Sequence, residues 1–252
     1  MLNSECIQLD TARSLHVIEI ESITADMKDL LDTYFVSICE GDSDSEISLV
    51  KQRLAKFLKT KNEETQMGAV AEFFVHLYLN QLNFKQEFLF FNLEENSIKK
   101  GFDGLFSKDS ETFLVESKSG TILTKGISHR TKLKTAYTDL KNYVSGKSEK
   151  GKNNPWKNAY NHASHIDVCA EKGIRKKIKK LRDMYDAGEY TNINDYKIIP
   201  CSTIFLNSVW DNKENSKILN CHDFLKLYDC VTLDAICISK KSLELFKEYL
   251  GE

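Results

Sequence analysis

The chain has 252 residues, 41% hydrophobic and 29% charged, with a formal net charge of −2. This is ordinary composition for a globular protein and long enough to bury a sizeable core. No apolar run approaches membrane-spanning length, the N-terminus lacks a basic-then-apolar leader, and the seven cysteines lack CxxC spacing, so the reading is a cytoplasmic α/β protein with reduced thiols, no membrane partner and no structural zinc. The small net charge hides an asymmetry. Residues 1–50 hold eleven Asp/Glu against two Lys/Arg, whereas residues 117–182 hold seventeen Lys/Arg against four Asp/Glu.

In chain order, His16 to Ile20 alternates weakly and predicts a strand. Ala25 to Cys39 carries a helical stripe through Met27, Leu30, Leu31, Phe35 and Ile38, ended by Gly41. Ser43 with Glu46 reads as a capping box for a second helix bearing Val50, Leu54 and Leu58. These acidic elements, residues 1–60, are read as a helical extension, a core cap or a docking surface for a partner. Residues 61–252 then form the main domain. Asn62 caps a third helix, Glu63 to about Leu82, apolar nearly all round and therefore largely buried. Glu72 is its only charge between Gly68 and Leu79, and a carboxylate there needs a metal or a hydrogen-bonded partner. His76, one turn on, reads as a core residue.

Phe84 to Leu93 is strand-like, bulky enough for a central position. Asp103 lies on the next strand, although Asp103-Gly104 could itself be a hairpin tip; Ser107 to Ser110 has turn composition, and Phe113 to Gly120 follows as a third strand. Side chains two apart share a strand face, so Glu116 and Lys118 point the same way. Two carboxylates and a lysine suit Mg²⁺, a hard ion that takes one or two carboxylates and keeps waters for phosphate oxygens. An ammonium beside the ion can hold the phosphate or orient a water, and with a lowered pKa it can help deprotonate that water.

Ser128 to Val144 is a basic helix carrying Lys132 and Lys134, candidate phosphate contacts. Residues 145–154 read as a Gly/Lys/Asn-rich loop. Trp156 and Tyr160 either anchor the next helix or stack on bases. Lys172 to Arg182 places seven basic residues in eleven positions around an Ile174, Ile178, Leu181 stripe, so Arg175, Lys176, Lys177, Lys179 and Lys180 form a basic face suited to nucleic acid. Tyr196 to Leu206 and Cys230 to Ser239 extend the sheet, with Pro200 suited to an edge or bulge, and Ser242 to Leu250 closes the chain as a helix.

Asp103, a spacer of about a dozen residues, then Glu116-Ser117-Lys118 resembles the PD-(D/E)xK nuclease signature, although its proline is absent. Gly68-x-x-x-Glu72, Gly101-Phe102-Asp103-Gly104 and Val115-Glu116-Ser117-Lys118 together resemble more narrowly the HamA family, nuclease subunits of the Hachiman antiphage system, which work with a helicase, HamB. The resemblance implies a restriction-endonuclease-like core, a central mixed sheet flanked by helices. It also implies a DNA endonuclease using Mg²⁺ or Mn²⁺, with Asp103, Glu116 and Glu72 as metal ligands and Lys118 at the reacting phosphate. DNA and a HamB-like helicase are the implied partners. Some relatives carry Gln-x-x-x-Tyr on the helix after this strand; here Asp139 and Tyr143 occupy that spacing, and the glutamine's role is not carried over. One rival keeps the fold as an inactive DNA-binding scaffold. Another, a glycosidase-like carboxylate pair, has no use for so many lysines.

Overall fold

The computed structural model describes residues 2, 4–90, 101–148 and 154–251. Seven strands form one mixed sheet: β1 (Ser4–Asp10), β2 (Arg13–Ile20), β3 (Lys85–Gln86), β4 (Gly104–Lys108), β5 (Glu111–Thr121), β6 (Lys197–Phe205) and β7 (Thr232–Lys240). Their spatial order is β1-β2-β7-β6-β5-β4-β3. The four central strands β2, β7, β6 and β5 run parallel, while β1 and the β4–β3 pair add antiparallel edges. Parallel strands need crossovers, and their helices bury both faces, which is why β6 and β7 are almost wholly buried.

One face is covered by α1 (Ala25–Glu40), α2 (Ile47–Lys59), α3 (Glu63–Gln81) and α8 (Glu244–Leu250); Phe35, Leu54, Phe73, Phe74 and Phe246 meet Ile18, Phe106, Phe113, Val115 and Ile238 there. The other is covered by α4 (His129–Val144), α5 (Pro155–Ala163), α6 (Lys172–Asp186) and α7 (Lys213–Asn220), where Leu133, Leu140, Trp156 and Ile178 meet Leu105, Leu114 and Ile198. The alternation on β5 thus sends Phe113 and Val115 towards α3, and Leu114, Glu116 and Lys118 towards α4.

The architecture is the α/β arrangement the sequence implied, with local differences. Within the expected helical extension, Ser4–Asp10 and Arg13–Ile20 form a hairpin, and helices begin only at Ala25. β2 pairs with β7 along its length, and Ile18 and Ile20 share an apolar cluster with α3. Ser43 does not cap α2: Glu46 holds that position without a side-chain bond, and the Ser43 hydroxyl turns to Glu40 and Ser45. Of the described residues of Phe84 to Leu93, Lys85–Gln86 form the edge strand, and the Glu87 N–H adds one bond to the Leu105 carbonyl; Phe88 and Phe90 are buried on opposite faces, and residues 91–93 lie outside the described set. Residues 149–153 of the expected loop also lie outside it.

Pro200 is in an interior strand, opposite Glu116 on β5, and the β6–β7 pairing skips Ile199 and Pro200 before resuming at Cys201. The missing N–H is tolerated because the ladder is interrupted there. Trp156 is a core anchor, 2% exposed, edge-on to Phe102 and stacked on Tyr196.

Candidate active site on the α4 face of β5

The β4–β5 hairpin turns at Asp109-Ser110, both with positive φ (51° and 65°), the backbone a tight two-residue connection requires. Asp103-Gly104 is therefore not the tip. The resulting register pairs Gly104 with Val115, which leaves Asp103 beside Glu116 just beyond the end of β4. The Asp103 Oδ2 accepts a hydrogen bond from the Ser117 N–H at 2.7 Å, extending the ladder with a side chain.

Glu116 is 1% exposed. Lys118 donates to its Oε1 and pairs with Asp139 Oδ2 of α4 at 3.1 Å. Tyr143, one turn beyond Asp139, is buried over the same group, and burial together with the Glu116 charge pushes its phenol up. Asp103, Glu116 and Asp139 surround one ammonium. Burial, then the Asp103 charge, pushes Glu116 well above the usual carboxylate range, and Lys118 only partly opposes this. Burial would lower Lys118, but the Glu116, Asp103 and Asp139 charges outweigh it and hold the amine protonated. Lys118 is thus a fixed cation, not a base.

The other oxygen of Glu116, Oε2, is buried and has no hydrogen-bond partner among the described residues. A buried carboxylate oxygen left open beside a second carboxylate, in a cluster with excess negative charge, fits a hard divalent cation. Among the described residues no three His, Cys, Asp or Glu side chains form a metal-holding group, so the fit is that of a two-carboxylate site completed by water or substrate oxygens. Glu72 is half-buried on α3, which packs against the opposite face of the sheet.

Lys132 comes closest of the predicted phosphate contacts. It sits over Gly120, where a Cβ would lie 3.1 Å from its Nζ and 2.5 Å from Ile127 Cδ1, so glycine permits the approach of α4 to β5. Burial and the Lys118 charge lower its pKa. Lys134 is exposed on the same helix. The α6 cations Arg175, Lys176, Lys177, Lys179 and Lys180 are all exposed, but Lys177 reaches Thr112 at the amino end of β5. They form a patch separate from the Glu116–Lys118 end.

A model of the HamA family matches residues 3–250, nearly the whole chain. The chain belongs to the HamA family. HamA is the Hachiman defence protein, which places this chain in antiphage defence. No curated protein and no solved structure matches it. Asp139 is the member of this charged cluster that sequence reasoning set aside. Its spacing from Tyr143 was visible, but its ion pair with Lys118 depends on how α4 crosses β5.

α4 is seated by a second buried cluster. Its first residue, His129, is 1% exposed and meets Ser202 at Nδ1 (2.9 Å), with Asn215 and Ser239 at Nε2 (both 3.2 Å). Asn215 donates to Glu19, and Ser239 donates to the Asn215 carbonyl. The Nε2 side therefore donates to Asn215 and Nδ1 accepts from Ser202, so His129 is neutral; burial lowers its pKa to about 4. Among the described residues no helix is long and apolar enough to cross a membrane.

Proposed function

We propose that the chain is a metal-dependent DNA endonuclease, the effector of a defence complex controlled by a HamB-like helicase. The observation that carries this reading is Glu116: buried, flanked by Asp103 and by the Lys118 ammonium, with its Oε2 open. Asp103 and Glu116 would hold Mg²⁺, or Mn²⁺ in its place, with water and substrate oxygens completing the shell; Glu72, on the helix across the sheet, is not part of this set. The bound ion supplies Lewis acidity and a more acidic water. Lys118 stabilises negative charge building on the phosphate, and Asp139 keeps it oriented while that charge is absent. Lys132 and Lys134 take flanking phosphates, and the α6 cations hold the nucleic acid farther along. Asp26, Asp29, Asp44 and Glu46, exposed on the acidic N-terminal part, are the proposed helicase-docking surface.

The test is plasmid nicking with Mg²⁺, Mn²⁺ or EDTA, with and without the helicase, comparing wild type and Glu116→Gln. Cleavage that needs the metal and vanishes in the variant supports the reading. A variant that nicks as fast as wild type overturns the site.

A further inference from the structure

The parallel neighbours β5 and β6 end side by side, the Ile122 N–H donating to the Phe205 carbonyl at 2.9 Å. The loops that leave them, residues 122–128 and 206–212, carry three large apolar side chains in solvent: Ile122 (38% exposed), Leu123 (70%) and Val209 (72%). The second loop begins with a tight turn. Asn207 and Ser208 both have positive φ, 50° and 66°, pinned by Ser208 N–H to the Lys241 carbonyl and Val209 N–H to the Leu206 carbonyl. As at Asp109-Ser110, this is the backbone of a tight two-residue turn, and it leaves Val209 pointing outward.

The first loop and the helix that follows it are cationic, while the one acidic residue of the second loop, Asp211, is paired with Lys213 at 2.9 Å. From Thr121 to Thr138 the chain has Lys125, Arg130, Lys132 and Lys134 and no acidic residue. Arg130 lies over the Phe224 ring, 5.0 Å from its centre, while Lys125 and Lys134 are exposed. Aliphatic tips in a cationic frame, at the end of β5 where Lys118 sits, suit a ligand with phosphates and accessible apolar faces. Paired DNA offers only phosphates and groove edges, which aliphatic groups read poorly. Unpaired or unstacked bases offer their faces.

We propose that Ile122, Leu123 and Val209 form a wedge that takes unpaired bases of a nucleic acid whose backbone lies on Lys125, Lys132 and Lys134. This rests on the nucleic-acid reading above and specifies its substrate: DNA with a bubble, fork or nick rather than intact duplex.

The experiment is fluorescence anisotropy in EDTA, so that binding is read without cleavage, using the full chain with a paired duplex and with the same duplex carrying a central unpaired bubble. Wild type should bind the bubble about tenfold more tightly. A Leu123→Ser/Val209→Ser double variant, altered only at exposed positions, should bind both alike with an unchanged salt slope. Lys125→Ala/Lys134→Ala should weaken both DNAs equally and lower the salt slope by about two. Equal binding by wild type, or a preference surviving in the apolar variant, overturns the wedge. Equal binding together with lost helicase co-purification in that variant assigns the loops to the protein partner and likewise overturns it. Bubble preference in a protein that does not cut with Mg²⁺ and helicase upholds the wedge and removes the endonuclease; cutting without the preference does the reverse.

Discussion

Two lysines sit in this sheet with opposite surroundings. Lys118 on β5 faces α4 and three carboxylates, which keep it charged. Lys240 ends β7 on the α3 face, fully buried, its Nζ 4.7 Å from the centre of the Phe74 ring and without a hydrogen-bond partner among the described residues. Burial lowers its pKa to about 7. Both are strand lysines taken out of water; the difference is counter-charge. Burial alone therefore does not mark a working cation. One end of the sheet concentrates charge on its α4 face, while the opposite face at β7 carries a lysine that weakens the fold.

The contrast breaks most sharply if the two are removed. Lys118→Ala should reduce nicking on the order of a thousandfold. It should leave the circular dichroism spectrum intact, because Glu116, whose proton affinity burial already raises, can take up a proton once its partner is gone. Retained cleavage would put Lys118 on the same footing as Lys240.

Lys240→Met should do the opposite: cleavage unchanged, stability higher. The folded pKa of about 7 lies below the ordinary 10.5, so between those values the unfolded chain binds more protons and wild-type stability rises with pH. At pH 7 the penalty is about 4 kcal/mol. Replacing the amine with an apolar chain of similar length should recover on the order of 2–4 kcal/mol. Urea unfolding at pH 7 and pH 9 reads both effects: the wild type gains with pH, and the variant starts higher and stays flat.

Neither lysine could be sorted from the sequence, for a physical reason. Glu116 and Lys118 were readable together because strand alternation is local, and the turn residues before Glu111 placed a strand with Asp103 next to them. The stripe and cap of α4 were equally local. Lys240-Lys241 reads as the polar end of a strand, and only the long-range pairing of β7 between β2 and β6 buries it. Ser4 to Asp10 and Arg13 to Ile20 hid their hairpin because β1 is an exposed edge and β2 is covered on both faces, so neither shows clean alternation. Asp139 was seen but not used, since its partner lies on another element.

His129 sharpens the comparison as a buried titratable group that is neutral and fully bonded. Its pKa, about 4 against an ordinary 6.5, means that the unfolded chain takes the proton first as pH falls. Its contribution is complete above pH 6.5 and is lost on the way down to pH 4, by about 3 kcal/mol in total. Unfolding midpoints for wild type and His129→Gln between pH 7 and pH 4.5 should converge as the pH falls. A constant gap would show that the imidazole is not held neutral.

The smallest effect tests whether counter-charge or mere contact sets Lys118. Asp139→Asn preserves shape and leaves an oxygen able to accept from Lys118 Nζ, so the 3.1 Å contact survives while one negative charge disappears. With less competition from α4, the ammonium leans further into Glu116 and is less available to a phosphate. The expected result is about a tenfold loss in cleavage rate, corresponding to about 1.4 kcal/mol. Asp139 touches Lys118 rather than the open Oε2 of Glu116, so half-saturating Mg²⁺ should not move. A raised Mg²⁺ requirement would instead make Asp139 a ligand, and the charge around Lys118 would then belong to the ion before it belonged to the lysine.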